Sequence, residues 1–147
     1  MLVRDAMTTD VVTVPAGASL RQAVGRMLRD GVGSVVLTRE GTPSGIVTES
    51  DALKAGYRFE RPLAEIPVTK AASDSLTTIT ERATIRKAVR QMRRHDVKKL
   101  PVVNGMELVG ILTMTDVVVR HESLIDEAIA LEEGRDGWSP EHDTEDR

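Results

Sequence analysis

Gly45-Ile46-Val47-Thr48-Glu49-Ser50-Asp51 returns 65 positions later as Gly110-Ile111-Leu112-Thr113-Met114-Thr115-Asp116. The correspondence runs upstream without a gap: Thr13 with Thr78, Ala23-Val24 with Ala88-Val89, Met27 with Met92, Val32 with Val97. A period this long means two copies of one folding unit. Two copies packed together define a pseudo-twofold axis and two related clefts.

Within each copy the hydrophobic pattern reads strand, helix, strand, strand, helix. In the first, Val11 to Val14 is a β-branched run stopped by Pro15 and Gly17. Ser19 offers an N-cap to a helix whose apolar positions are Leu20, Ala23, Val24, Met27 and Leu28. Gly31 to Gly33 breaks that helix. Val35 to Leu37 and Gly45 to Val47 form two strands about a turn at Glu40-Gly41-Thr42, and Thr48 opens a short helix reaching about Ala55. The second copy repeats each step: a strand at Thr77 to Thr80, a cap at Thr84, a helix stripe of Ile85, Ala88, Val89 and Met92, a hairpin around Asn104-Gly105, and a helix opened by Thr113. The connecting stretch, roughly residues 56–75, holds Pro62 and Pro67. After Asp116 an apolar stripe of Val117, Val118, Leu124, Ile125, Ala128, Ile129 and Leu131 continues the helix until Gly134. The acidic tail, residues 135–147, is expected to be disordered.

The fold class expected is therefore α/β (α+β): two β-α-β-β-α repeats, residues 1–60 and 61–120, related by a pseudo-twofold axis. They are expected to build one compact body, with a C-terminal helical extension and tail over residues 121–147. At 147 residues each copy is short for a core of its own. Aromatics make up 2% of the chain, so the core must be aliphatic, and base-stacking platforms are disfavoured. A net charge of −3 gives no general attraction to nucleic acid. The chain has no cysteine, which removes disulfides and thiolate chemistry. With no spanning segment and no signal-peptide pattern, the expectation is a cytoplasmic protein without a membrane partner. The three histidines, His95, His121 and His142, lack metal-ligand spacing, and no serine sits in a triad or elbow motif. No catalytic residue, metal site or required cofactor is expected, and an enzyme is the least supported class.

The chemistry worth weighing lies in Thr48/Asp51 and Thr113/Asp116. A Thr at the N-cap with an acid three positions on is a capping box, which satisfies backbone donors without any ligand. The same geometry also suits a nucleoside phosphate. The helix N-terminus and the Thr hydroxyl can donate to a phosphate, and an ionised Asp can accept from the two hydroxyls of a ribose. Gly45 and Gly110 permit close approach of a ligand or a neighbouring strand. The spacing alone does not choose between these readings.

The duplicated pattern Gly-hydrophobic-x-Thr-x-x-Asp, each behind a strand-helix-strand unit, resembles tandem cystathionine β-synthase-type (CBS) domains. Val3-Arg4-Asp5-Ala6-Met7-Thr8 and Val97-Lys98-Lys99-Leu100-Pro101-Val102-Val103 share the likeness, which covers about residues 1–120. It departs at Ala71-Ala72, where the first copy has Ala6-Met7. The resemblance implies a CBS pair, or Bateman module, whose repeats pack sheet to sheet, with two clefts that bind adenosine-containing regulatory ligands such as AMP, ADP, ATP, S-adenosylmethionine or NAD. By that resemblance one cleft would use Thr113 and Asp116 with Val12, Val32, Gly33 and Ser34. The other would use Thr48 and Asp51 with Thr77, Val97, Lys98 and Lys99. The first then has an uncharged wall at Gly33-Ser34. The second has two cations there, favouring a more highly phosphorylated ligand if either points inward. The resemblance also implies a homodimer shaped as a flat disc.

The function expected is a stand-alone regulatory module that binds an adenosyl ligand and signals, by changing conformation or oligomeric state, to a separate target protein. The helix after Asp116 is the candidate contact, unless its stripe packs on the module itself. One alternative is a structural or protein-interaction module whose Thr–Asp pairs are caps only. A weaker one is a nucleic-acid accessory protein using Arg86 to Lys99. Against the latter, Arg86, Lys87, Arg90, Arg93 and Arg94 lie largely opposite the apolar stripe and read as a solvated face.

Overall fold

The computed structural model describes residues 1–73 and 76–135. The order of elements is α1 (Val3–Ala6), β1 (Thr13–Pro15), α2 (Leu20–Asp30), β2 (Ser34–Arg39), β3 (Thr42–Thr48), α3 (Glu49–Phe59), two 3-10 turns (Leu63–Glu65 and Val68–Lys70), β4 (Ile79–Thr80), α4 (Ile85–His95), β5 (Lys99–Asn104), β6 (Glu107–Thr113) and α5 (Met114–Arg135). Each repeat forms one three-stranded sheet. In the first, β1 runs parallel to β2 and β2 antiparallel to β3; β4, β5 and β6 repeat the arrangement. The sheets meet through β3 and β6. This is the α/β repeat architecture read from the sequence, with the C-terminal helix present.

Local chemistry explains the boundaries. Ser19 closes a capping box with Gln22 at the start of α2, and Gly31 ends that helix in the left-handed region at φ 63°. Glu40 and Gly41, at φ 51° and 80°, make the β2–β3 turn, where both central residues need positive φ. The β5–β6 turn needs it only at Gly105, φ 64°. The first strand begins at Thr13 rather than Val11, because the ladder with β2 starts at Thr13↔Val36. Helix α3 continues past Ala55 to Phe59, so its counterpart in the second repeat reaches residue 124 and the true extension starts there. Gly134 does not stop α5, which runs to Arg135; one glycine costs a helix only about 1 kcal/mol. Leu28 is not a core residue: α2 buries Leu20, Ala23 and Met27 and leaves Leu28 79% exposed.

The two repeats are stitched by their lead-ins. One aliphatic core gathers Leu20, Met27, Val35, Leu37 and Val47 with Ile66 and Val68. The other gathers Met92, Leu100, Val102 and Leu112 with Val3. Thus residues 1–8 complete the second repeat's core, and the stretch between the repeats completes the first. Backbone bonds fix this: Val3 N–H to Ala83 O at 2.8 Å, Thr8 and Ile111 exchanging two bonds of 2.9 Å, Leu20 N–H to Ile66 O at 2.8 Å and Val68 N–H to Ala18 O at 2.9 Å. The sequence expectation of one body fed by both copies becomes two cores, each closed by a segment lying outside its own strand-helix-strand unit. No helix among the described residues is long and apolar enough to cross a membrane.

Candidate functional site

Both Thr–Asp pairs form complete capping boxes. Asp51 N–H donates to Thr48 Oγ1 at 3.2 Å and Thr48 N–H to Asp51 Oδ2 at 2.9 Å. In the second repeat Asp116 N–H donates to Thr113 Oγ1 at 3.1 Å and Thr113 N–H to Asp116 Oδ2 at 3.0 Å. One carboxylate oxygen of each acid is thereby used. The other makes no hydrogen bond to the described residues, and each Thr hydroxyl, accepting one bond, keeps its proton to donate. All four side chains are half-buried. The first N–H of each helix is also taken: Glu49 N–H goes to Gly33 O at 3.1 Å and Met114 N–H to Lys98 O at 2.8 Å.

Thr113 opens on one cavity at the repeat boundary, and Thr48 with Asp51 on another. One, of about 220 Å³, is lined by Val12, Val32, Gly33, Ser34 and Thr113, with Thr8, Asp10, Val11, Val36, Ile111 and Lys99. Asp116 does not line it. The other, of about 510 Å³, is lined by Thr48, Asp51, Val97, Lys98 and Lys99, with Gly33, Ile46, Glu49, Ser50, Ser73 and Asp96. Thr77 does not line that one; its hydroxyl accepts from Gln91 Nε2 at 2.8 Å.

Two features of these cavities were missed from the sequence. The first concerns Lys99, which borders both cavities, so the smaller cleft is not uncharged. Strand register explains it: Lys99 stands opposite Thr113, as Ser34 stands opposite Thr48. The hairpin turns, read with the 65-residue offset, held that signal. The second is that three carboxylates, Glu49, Asp51 and Asp96, line the larger cleft together with its two lysines. Glu49 and Lys99 close over Gly33, where a Cβ would lie 2.9 Å from Glu49 Oε1 and 3.3 Å from Lys99 Nζ. Lys98 is exposed and Lys99 half-buried.

Gly45 and Gly110 admit chain rather than cavity. A Cβ on Gly110 would stand 2.7 Å from Met7 Sδ and 2.9 Å from Thr8 O; one on Gly45 would meet Ala72 Cβ at 3.5 Å. The basic residues of α4 are exposed, as are His95 and His121. Trp138, His142 and the acidic tail beyond Arg135 lie outside the described residues. No group of three His, Cys, Asp or Glu suited to a metal occurs among the described residues.

Comparison with known proteins accords with the fold. A family model described as CBS domain matches residues 3–58 and again 64–123. The CBS domain-containing protein YhcV of Bacillus subtilis is 28% identical over 121 residues, 82% of this chain and 86% of its own. A CBS domain protein of Pyrobaculum aerophilum, solved complexed with AMP, is 27% identical, with a TM-score of 0.76 over 88% of this chain and 99% of that one. A CBS-domain containing protein of Agrobacterium tumefaciens is likewise 27% identical, with a TM-score of 0.74 over 82% and 99%.

Proposed function

Because the chain belongs to the CBS-domain family, with two repeats forming a pair, we propose that it is a regulatory rather than a catalytic module, binding an adenosine-containing ligand between its repeats. The carrying observation is the pair of capping boxes set at the repeat boundary, each with a carboxylate oxygen unspent. The AMP complex of the Pyrobaculum aerophilum relative supports that class of ligand. Asp51 holds ribose hydroxyls and Thr48 and Thr113 a phosphate, while Asp116, set back from the smaller cavity, caps its own helix. Val12, Val32, Gly33 and Ser34 wall one site; Val97, Lys98 and Lys99 wall the other, with Thr77 set back from it. The larger cleft takes the first ligand, since about 510 Å³ falls in the range of a small-molecule pocket and about 220 Å³ does not. The ligand is regulatory: AMP, ADP, ATP or S-adenosylmethionine. The module is a cytoplasmic homodimer that passes the signal to a target protein, through a difference in ligand affinity between two arrangements of the repeats.

Isothermal titration with AMP, ATP and S-adenosylmethionine tests the assignment. Asp51→Ala removes a charged hydrogen-bond partner, so affinity in the larger cleft should fall by about ten- to a hundredfold. Unchanged affinity would refute it. The competing reading, an interaction module whose Thr–Asp pairs are caps only, draws on the bonds those residues already make to their own helices. Melting temperature decides between them. A ligand at a hundredfold excess over Kd should add about 2.7 kcal/mol of stability, and no shift with any adenosyl compound favours the cap-only module.

A further inference from the structure

A single ammonium stands between the two clefts. Lys99 and Gly33 border both cavities. In the β5–β6 ladder Lys99 lies opposite Thr113, which sets the two side chains side by side on one face of the sheet. Its stem is therefore rooted at the smaller cleft. Its tip reaches the larger one: Nζ lies 3.3 Å from the point where a Cβ on Gly33 would stand, and Glu49 Oε1 lies 2.9 Å from the same point. Lys99 is half-buried and makes no ion pair among the described residues, where the only one is Arg26–Asp30. The first repeat offers no second such cation, because the equivalent position opposite Thr48 is Ser34. Without Lys99 the described lining of each cavity carries an excess of acid. The smaller keeps Asp10 as its one charged residue. The larger keeps Glu49, Asp51 and Asp96 against Lys98 alone.

We propose that Lys99 is a cation shared by the two clefts, so that a phosphorylated ligand bound in one weakens the binding of a second in the other. This rests on the nucleotide assignment above and adds a regulation to it. The lysine ammonium is a compact charge on a flexible four-carbon stem, able to turn to either side of Gly33. A phosphate beside Thr48 draws it toward α3 and leaves the smaller cleft with Asp10. A phosphate beside Thr113 draws it the other way and leaves the larger cleft with three acids and one lysine. In either case the second anion meets a lining of its own sign. By linkage the penalty is the same whichever cleft fills first. The coupling belongs to the phosphate: a neutral nucleoside has the same base and ribose but no charge for Lys99 to follow. Direct repulsion between two bound phosphates has the same sign, but it would persist without Lys99, whereas sharing ends with it. The consequence is a module that fills in two steps and responds over a wider range of ligand concentration than two independent sites.

Titration calorimetry of the full chain with AMP and with adenosine tests this. Adenosine should fill two sites per chain. The ratio of the second dissociation constant to the first should be at least about tenfold larger for AMP than for adenosine, the weight of one charged hydrogen bond. Lys99→Met keeps the stem and removes the charge. It should weaken the first AMP by about ten- to a hundredfold, bring the AMP ratio down to that of adenosine, and affect adenosine far less. Ser34→Lys supplies a second cation and should close the same gap from the other side, by tightening the second AMP. An AMP ratio still large in Lys99→Met would assign the coupling to phosphate repulsion and overturn the shared cation. Equal ratios for AMP and adenosine in the wild type would overturn the coupling itself, and one adenosine per chain would remove the second cleft on which it depends. These three results leave the nucleotide assignment standing; a chain that binds neither compound would refute that assignment and the sharing together.

Discussion

At the residue scale, equal sequence positions do not carry equal constraints. Gly45 and Gly110 are the same residue of the repeat, yet only Gly110 has a backbone oxygen within 2.9 Å of where a Cβ would be. Gly110→Ala must push the Met1–Thr8 lead-in off β6 and should cost about 1–3 kcal/mol in chemical denaturation. Gly45→Ala meets only ordinary contacts and should be close to neutral. Equal losses at both positions would contradict the packing described. The departure at Ala72, where the first repeat has Met7, is the other half of this asymmetry, because each lies against the glycine of the opposite repeat's motif. The Thr–Asp pairs show a second residue-scale effect. Thr113→Val removes the oxygen that accepts from Asp116 N–H, so it should lower unliganded stability by about 0.5–2 kcal/mol whether or not a ligand binds. Comparison of melting curves with and without AMP separates the cap from the binding role.

At the scale of elements, the lead-ins matter more than their length suggests. Val3 sits in a four-residue helix near the N-terminus, yet it is fully buried in the second core. Val3→Ala should cost about 1.5–3 kcal/mol, as for an interior aliphatic side chain, and a loss below about 0.5 kcal/mol in urea unfolding would show that α1 is not docked. Val68 occupies the same place in the first core. The lead-ins carry no strong periodicity of their own. The repeat offset identifies Val3 and Val68 as equivalents, but it does not say that each crosses to the other sheet.

At the scale of the whole molecule, the crossing makes folding cooperative. A fragment of residues 1–60 contains β1, α2, β2, β3 and α3 but lacks Ile66 and Val68, the side chains that close its core. It should show no cooperative thermal transition, whereas residues 1–73 should recover part of one. A stable 1–60 fragment would mean that the repeats are independent domains. The same crossing holds the two clefts at a fixed boundary, with β3 and β6 in contact behind them.

What the sequence determined by itself was whatever a short window of residues enforces. That covers the strand-helix-strand order, the caps at Ser19, Thr48, Thr84 and Thr113, the turns at Glu40-Gly41 and Gly105, and the duplication that leads to two related clefts. Hydrogen bonds three or four residues apart and the periodicity of apolar side chains leave direct marks on the chain. Only the tertiary structure decided which sheet each lead-in completes, that Lys99 borders both clefts, that Asp116 and Thr77 stand back from theirs, and that Leu28 lies outside the core. These depend on contacts between segments far apart in the chain. There, the energy of burying one apolar surface against another depends on shape and register, which residue types alone do not encode.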